Sequence, residues 1–297
     1  MRIVLAGASG LIGTALKTAL REDGHDLCVL VRRDPGAAEE MRWWPGERDL
    51  PPEVMGAADA VVNLSGASLE GRRWTDGYKR KILDSRLGAT NTLVDAILAA
   101  GDEAPATLLS ASAVGYYGDT GDEIVDESHP AGTGFLADVC RKWEAAAARA
   151  DGRTRVLVVR SGLVLSRRGG LLGPLRPFVK AGLGGKFGSG RQFQPWIALP
   201  DHVDATRFLL TANVRGAVNL TAPTPVRQAE FVAEMGRILH RPTVLPAPGF
   251  ALRLALGEFA VEGVLVGQRA VPAVLETAGF QFSYPTLSAA LRWALTS

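Results

Sequence analysis

Three glycines near the amino terminus have the spacing of a phosphate-binding loop. In the segment GASGLIG, they follow the apolar run RIVLA and precede a stretch with apolar residues at helical spacing. Gly7 permits a tight turn, Gly10 lets the backbone approach a pyrophosphate, and Gly13 lets the helix pack closely against the strand. The helix N-terminus adds amide donors and a favourable dipole. A plain tight turn is the alternative. The residues predicted to contact a dinucleotide here are Gly7, Ser9, Gly10, Leu11, Ile12 and Gly13.

Two arginines after the second apolar run indicate which dinucleotide would bind. The run DLCVLV ends at Val31 and is followed by Arg32 and Arg33. An acidic residue at this point would accept hydrogen bonds from the ribose 2′-hydroxyl of NAD, whereas guanidinium groups favour the 2′-phosphate of NADP. We therefore predict NADP as the cofactor. The alternative is that both are surface arginines with Asp34 as a partner.

These residues need a scaffold, and the order of apolar runs predicts one. Five runs of strand length alternate with stretches of helical periodicity, which is typical of a parallel sheet covered on both faces. The predicted fold class is α/β, a Rossmann-type doubly wound parallel sheet with a smaller C-terminal α/β substrate domain. The runs are RIVLA, DLCVLV, DAVVNLSG, ATLLSAS and TRVLVVRSG, and the main helices are expected at about 11–21, 76–100 and 135–150.

The regular alternation ends after Gly162, where glycine and proline become frequent. We predict an NADP-binding domain over residues 1–165 and a substrate domain over 166–297, with interwoven segments. Thr224 as N-cap and Pro225 in the first turn predict a helix that continues to about His240. A helix from Pro272 to Gly279, then a short strand and a terminal helix, are expected to complete the chain.

Bulk composition narrows the classes of partner. The net charge of +2 comes from dispersed residues, so no basic stripe indicates nucleic acid. No apolar stretch approaches the length of a membrane span, and the cytoplasm is the expected location. The two cysteines show no metal or disulfide spacing, and no metal site is predicted. We expect a small-molecule substrate and a monomer or homodimer.

Several motifs together resemble those of the extended short-chain dehydrogenase/reductase superfamily. They are the glycine loop, NLSGAS, SASAVGYYGD and WIALPDHVDA. The segments DSRLGATN, KWEAAA, RSGLVLSRRGG and GSGRQFQPWI, with the C-terminal tail, are more narrowly similar to the epimerase-family proteins grouped with short-chain dehydrogenase family 39U. The resemblance implies an NADP-dependent oxidoreductase or a sugar-nucleotide-type epimerase. It implies no particular substrate.

The resemblance also implies further cofactor contacts. Arg86 in DSRLGATN and the segment NLSGA are expected to reach the cofactor, and Arg160 in RSGLVL is expected to pass the nicotinamide. Within NLSGA the predicted contacts are Leu64, Ser65 and Gly66.

The superfamily's catalytic tyrosine and lysine have no counterparts at their usual positions. When the segments are matched on Glu144, those positions fall at Leu136 and Cys140. Ser112 does match the superfamily's serine at the end of the fifth predicted strand. Tyr116 and Tyr117 follow it and are either alternative proton donors or walls of the substrate pocket. The predicted catalytic residues are therefore Ser112, Tyr116 and Tyr117.

A polar segment near position 190 is the candidate substrate pocket. Gln192, Gln194 and Trp196 suit a polar, planar or sugar-like ligand, with packing between domains as the alternative. Two functions remain open from the sequence. One is an NADP-dependent enzyme with an altered acid-base group, and the other is a catalytically silent NADP-binding sensor or scaffold.

Overall fold

The computed structural model describes residues 1–70 and 72–296, and within them strands and helices alternate along much of the chain. The strands are β1 (Arg2–Ala6), β2 (Asp26–Val31), β3 (Glu40–Arg42), β4 (Ala60–Asn63), β5 (Thr107–Ala113), β6 (Ile124–Val125), β7 (Arg155–Ser161), β8 (Leu163–Leu165), β9 (Phe193–Gln194), β10 (Trp196–Ala198), β11 (Gly216–Leu220), β12 (Val226–Arg227) and β13 (Arg269–Ala270). The α-helices are α1 (Leu11–Glu22), α2 (Glu53–Gly56), α3 (Asp76–Ala99), α4 (Phe135–Ala148), α5 (Leu172–Lys180), α6 (Leu199–Thr211), α7 (Gln228–Leu239), α8 (Gly249–Leu256), α9 (Ala273–Thr277) and α10 (Leu287–Leu295).

A seven-stranded sheet forms the centre of the fold. Its strand order is β11-β7-β5-β4-β1-β2-β3. The pairs β1 with β2, β1 with β4, β2 with β3 and β4 with β5 are all parallel. The chain leaves β1 toward one edge and returns through β4 toward the other, so the strand order reverses beside β1, where doubly wound folds bind ligands. The predicted Rossmann-type α/β fold is confirmed.

The inner strands β1 and β4 are buried and almost wholly apolar, as expected where both faces of a sheet are covered. In β1, Ile3, Val4, Leu5 and Ala6 have no exposed surface, and β4 is buried over its whole length. This pattern is typical of a parallel sheet between two helical layers.

Two compact units divide the chain, and each is built from three separate segments. Unit 1 comprises Met1–Ser112, Val139–Val159 and Thr206–Val218. Unit 2 comprises Ala113–Asp138, Arg160–Ala205 and Asn219–Ser297. The predicted single division at residue 165 is simpler than this arrangement, although the interwoven segments were expected.

Unit 2 has its own apolar core and differs in two elements from the sequence prediction. Trp196, Phe231, Met235 and Leu291 are among the side chains packed in this core. Helix α7 begins at Gln228 rather than after Thr224, because Val226 and Arg227 pair with β9 instead. Residues 280–285 form no strand in the described chain.

Candidate functional site

The glycine loop of unit 1 lies between β1 and α1, as the sequence predicts. Gly7 has φ +84°, and a Cβ atom there would lie 2.5 Å from the carbonyl carbon of Leu64. A Cβ on Gly13 would lie 2.2 Å from the Gly7 carbonyl oxygen. Both positions therefore exclude any larger residue, since such distances require the backbone to move. Gly10 differs, because a Cβ there would meet nothing closer than 3.6 Å and the residue is exposed. The space over Gly10 is available to a ligand.

The amino end of α1 has the features of an anion site. Its N-cap is Gly10, which supplies no side-chain cap, and the first turn contains no acidic residue. The first amide groups of a helix have no partner within the helix and carry partial positive charge. A diphosphate fits such a helix end. Around the loop, Ser9 is exposed while Leu11 and Ile12 are half-buried.

The two arginines after β2 have different surroundings. Arg33 forms a two-pronged ion pair with Glu40, with nitrogen to oxygen distances of 2.8 and 2.6 Å, and also donates to the Asp34 carbonyl. This pairing holds the pKa of Glu40 at about 2. Arg32 is exposed and has no side-chain partner in residues 1–70 and 72–296. The guanidinium free to receive a 2′-phosphate is therefore that of Arg32.

Arg86 on α3 is a half-buried cation next to the segment after β4. Its Nη1 donates to the carbonyl oxygens of Ala67 and Ile82, at 3.2 and 3.0 Å. Its guanidinium lies over the Trp143 ring, 5.1 Å from the centroid, and a Cβ on Gly66 would lie 3.2 Å from its Cζ. Burial lowers the pKa of Arg86. No carboxylate pairs with it in the described chain, so its charge is available to an anionic ligand.

A buried polar cluster in unit 1 links β4, α3 and α4, and the sequence analysis missed it. The Thr90 hydroxyl oxygen accepts hydrogen bonds from Asn63 Nδ2 and Trp143 Nε1, both at 2.9 Å. Asn63 Oδ1 in turn accepts from the backbone amide of Ser65, at 3.1 Å. The cluster therefore fixes the start of the segment that contains Leu64 and Gly66. A buried polar residue at the end of an apolar strand, such as Asn63 in AVVN, was the available signal.

Ser112 lies near the end of β5 and is 4% exposed. Its hydroxyl donates to Glu144 Oε1 at 2.7 Å, a hydrogen bond within unit 1. Glu144 lies on α4 and is half-buried. Sequence reasoning used Glu144 only to match the motif and did not predict this contact.

The two tyrosines and Arg160 form a closed cluster in unit 2. Tyr117 is 2% exposed and donates to Asn219 Oδ1 at 2.7 Å, and it accepts from Arg160 Nη1 at 3.0 Å. Burial raises the pKa of Tyr117 to about 12. Arg160 is 4% exposed, with its guanidinium 3.5 Å from the Tyr116 ring centroid. Tyr117 and Arg160 are thus hydrogen-bonded to each other and almost fully buried. This arrangement argues against Arg160 as a cofactor contact and against Tyr117 as a proton donor. Tyr116 is half-buried and stacks edge-on against Tyr117.

The three side chains predicted for the substrate pocket mainly make contacts within unit 2. Trp196 is fully buried and donates to the Thr224 carbonyl at 3.0 Å, so it belongs to the core of unit 2 and is not retained as a pocket residue. Gln192 donates to the carbonyls of Phe187 and Val264. Gln194 is 9% exposed, and its buried Oε1 has no hydrogen-bond partner in the described chain.

Unit 2 contains a cavity of about 430 Å³ elsewhere, lined by the loop after β5, the start of α4 and residues 261–268. Neither Lys nor Arg is among its described lining residues, while three carboxylates are. Carboxylates therefore outnumber Lys and Arg side chains in the lining, which disfavours a phosphate group in this cavity. Its polar and apolar side chains include those of Asp119, Glu123, His129, Leu136, Glu262 and Gln268.

Neither a metal-binding cluster nor a membrane-spanning helix occurs among the described residues. In residues 1–70 and 72–296, no three His, Cys, Asp or Glu side chains are grouped so that they could hold a metal ion. Within the same ranges, no helix combines the length and apolar character needed to span a bilayer. Neither Cys28 nor Cys140 forms a disulfide bond in the described chain.

Comparison with known proteins agrees with this architecture. The model of the NAD dependent epimerase/dehydratase family matches residues 3–221, and a domain of unknown function, DUF1731, matches residues 247–294. An epimerase family protein of Mycobacterium bovis is 48% identical over 99% of this chain and 97% of its own length. The human epimerase family protein SDR39U1 is 36% identical over 98% of this chain and 99% of its own.

A solved structure extends the comparison to three dimensions. The crystal structure of human SDR39U1 with NADPH matches with a TM-score of 0.92 and 35% identity, and each chain is covered completely. Taken with the family match and the relatives, this shows that the chain belongs to the NAD dependent epimerase/dehydratase family, among the extended short-chain dehydrogenases related to SDR39U1.

Proposed function

We propose that this protein binds NADP(H) and catalyses hydride transfer to or from a small carbonyl or alcohol substrate. The observation that carries the proposal is the amino end of α1, where Gly10 leaves open space over amide groups that no side chain caps. Exposed Arg32 at the end of β2 supports NADP over NAD. The relative that was crystallised with NADPH supports the same cofactor.

Unit 1 offers candidate contacts for both phosphate-bearing parts of the cofactor. The amides at the start of α1 would hold the diphosphate, and Arg32 would hold the 2′-phosphate. Arg86 would add a positive charge beside Gly66, where its guanidinium has only carbonyl and ring partners among the described residues. When bound, NADP(H) supplies the hydride donor or acceptor.

The acid-base group of this proposal differs from that of the superfamily. When the superfamily motif is matched on Glu144, Leu136 and Cys140 fall at the positions of the usual tyrosine and lysine. Tyr117 is enclosed by Asn219 and Arg160, so Ser112 at the carboxyl edge of the sheet and the half-buried Tyr116 are the remaining predicted hydroxyls. Of these two, Ser112 is the one with a hydrogen bond to a carboxyl group. We therefore infer an oxidoreductase or epimerase in which Ser112 contacts the reacting oxygen.

Cofactor binding can be tested first, by fluorescence titration with NADPH. Gly10→Val is expected to weaken binding at least about 100-fold, because a branched side chain would fill the space over the helix end. Gly173→Val is the matched control, since Gly173 also has open space around it but lies on α5. Unchanged affinity in Gly10→Val, with the fold retained, would place the site elsewhere.

Catalysis needs a second experiment. Wild-type protein is mixed with NADPH or NADP⁺ and with each compound of a panel of carbonyls, alcohols and sugar nucleotides. Hydride transfer is followed by the absorbance of the reduced nicotinamide ring. The panel includes phosphate-free polyols and amino sugars because the acidic cavity of unit 2 disfavours phosphate. Tight NADPH binding with no hydride transfer to any compound would favour a catalytically silent NADP-binding sensor.

A further inference from the structure

A serine and a glutamate form a short hydrogen bond in unit 1, apart from the cofactor loop itself. Ser112 Oγ lies 2.7 Å from Glu144 Oε1, within the range of a hydroxyl that donates to a charged or neutral carboxyl group. Ser112 is 4% exposed and Glu144 is half-buried. The hydroxyl proton is thus directed toward a carboxyl group that still has access to solvent.

The pair lies at the ligand-binding edge of the sheet. The parallel register sets Ser110 beside Asn63, and Asn63 beside Ala6, which directly precedes the glycine loop. Ser112 follows Ser110 by two residues and is therefore at the same carboxyl edge as Gly7. In open parallel sheets, ligands bind at this edge near the reversal of strand order. A reacting group bound there has the Ser112 hydroxyl as a neighbour.

A serine hydroxyl alone is a weak acid and a weak base at neutral pH, so it needs a partner to move a proton. Nucleophilic hydroxyls in other enzymes obtain that partner from an adjacent base at hydrogen-bond distance. A carboxylate can take this role because it accepts a proton and returns it to water. Glu144 meets the geometric requirement, and within the described residues it is the carboxylate bonded to Ser112.

We propose that Ser112 and Glu144 form a proton-transfer pair, in which Glu144 acts through Ser112 as the positioning residue and final proton acceptor. The inference rests on the proposed function. In alcohol oxidation, the substrate O–H bond breaks and its proton passes to Ser112 Oγ, while the original Ser112 proton passes to Glu144 Oε1. The substrate carbon is oxidised as its hydride leaves to the cofactor, and Glu144 then releases its proton to water. Carbonyl reduction reverses each transfer.

The pair can be tested without any substrate. In a Ser112→Cys variant, the difference absorbance at 240 nm against the parent chain reports the added thiolate during a pH titration. A nearby negative charge disfavours the thiolate, so adding Glu144→Gln is expected to lower the pKa of this thiol by about one unit or more. Asp95→Asn is the control, because Asp95 pairs at the surface of the same unit with Arg149. An unchanged thiol pKa in Glu144→Gln would overturn the pair.

The catalytic role is tested on a compound that wild type turns over. Glu144→Gln and Ser112→Ala are each expected to lower kcat about 100-fold to 1,000-fold, with little change in NADPH affinity. The double variant should be no slower than the slower single variant, because the two groups act as a unit. Added formate should restore part of the activity of Glu144→Ala, which a purely structural hydrogen bond would not predict.

The possible failures are distinguishable. If wild type binds NADPH but turns over no compound, the proposed function and the role of this pair are both overturned. If wild type is active and Glu144→Gln retains its rate, only the proton-transfer pair is overturned. Loss of activity that formate does not restore, accompanied by a lower melting temperature, would assign Glu144 a structural role and overturn the proposal.

Discussion

Arg32 and Arg33 are adjacent in sequence, yet only one is free to bind a ligand. Arg33 is held by Glu40, and the exposed Arg32 has no described partner. A 2′-phosphate can therefore recruit Arg32 without breaking an existing ion pair. Because a glutamate carboxyl group is ionised at neutral pH, loss of Arg33 would leave an uncompensated negative charge on Glu40 near the same ligand.

We predict that Arg32→Ala weakens NADPH binding by about 10-fold to 100-fold and leaves NADH binding nearly unchanged, as expected for the loss of one charge-assisted contact. Arg33→Ala should also weaken NADPH binding, but the added change Glu40→Gln should recover most of that loss. Fluorescence titrations of the variants with NADPH and NADH measure both effects. Equal loss of NADPH and NADH affinity in Arg32→Ala would contradict a phosphate contact.

For single residues, the sequence predicts where the backbone needs glycine better than it predicts the roles of side chains. Gly7 and Gly13 were identified because spacing alone shows where a loop must turn and where a helix must approach a strand. The predicted roles of Arg160 and Trp196 gain no support from the structure, because the enclosure of both side chains depends on neighbours distant in the chain. Arg160 meets Tyr117 across 43 positions, and Trp196 meets Thr224 across 28. The Ser112 contact with Glu144 spans 32 positions and was missed for the same reason.

Among the elements, α3, α4 and β4 are joined by a single buried hydroxyl. Thr90 accepts from both Asn63 and Trp143, and each of these donors is buried. A buried donor without a partner loses its hydrogen bond to water and gains nothing in exchange. Thr90 therefore helps to set the position of the segment after β4. The place of Arg86 beside Gly66 depends on that segment.

We predict that Thr90→Val lowers the free energy of unfolding by about 2–6 kcal/mol, since it leaves two buried donors without an acceptor, at about 1–3 kcal/mol each. Thr92→Val is the graded control. The Thr92 hydroxyl accepts one described bond, from the Gly46 amide, so the expected cost is about half as large. Urea unfolding followed by circular dichroism measures both values. Equal stability of the two variants would show that the cluster relaxes or admits water.

The boundaries of elements show the same division between local and distant causes. The sequence placed β1 and β2 at the residues that form them, because an apolar run in a buried parallel strand has ends marked by polar or glycine residues. It placed the start of α7 too early. Thr224 and Pro225 have the local features of a helix start. Val226, however, pairs with Gln194 and begins strand β12, so the helix starts only after this strand.

In the whole molecule, each of the two units is assembled from three segments, so neither is a continuous piece of chain. Contacts that close each unit must therefore form between segments far apart in sequence. A buried titratable group makes stability depend on pH because its pKa differs between the folded and the unfolded chain. His202 in unit 2 is such a group, with no exposed surface, and its Nε2 lies 2.9 Å from Ser161 Oγ in the same segment of the chain.

Burial lowers the pKa of His202 to about 4, compared with about 6.5 for an exposed histidine. Because the folded chain binds this proton less readily than the unfolded chain, the stabilisation is complete above pH 6.5 and is lost as pH falls toward 4. The difference of about 2.5 pKa units corresponds to about 3 kcal/mol. Asp201 and Glu127 oppose this trend, since burial raises the pKa of each carboxyl group.

We predict that wild type loses stability between pH 6.5 and 4 and that His202→Asn loses about 3 kcal/mol less over that interval, although it is less stable at pH 7. His240→Asn is the control, because His240 is exposed and asparagine tolerates its left-handed backbone conformation, φ 52°. Urea unfolding at several pH values gives the slopes. Parallel pH dependence of His202→Asn and wild type would contradict this prediction. It would mean that the His202 imidazole is protonated or reached by water in the folded protein, and not buried in its neutral form.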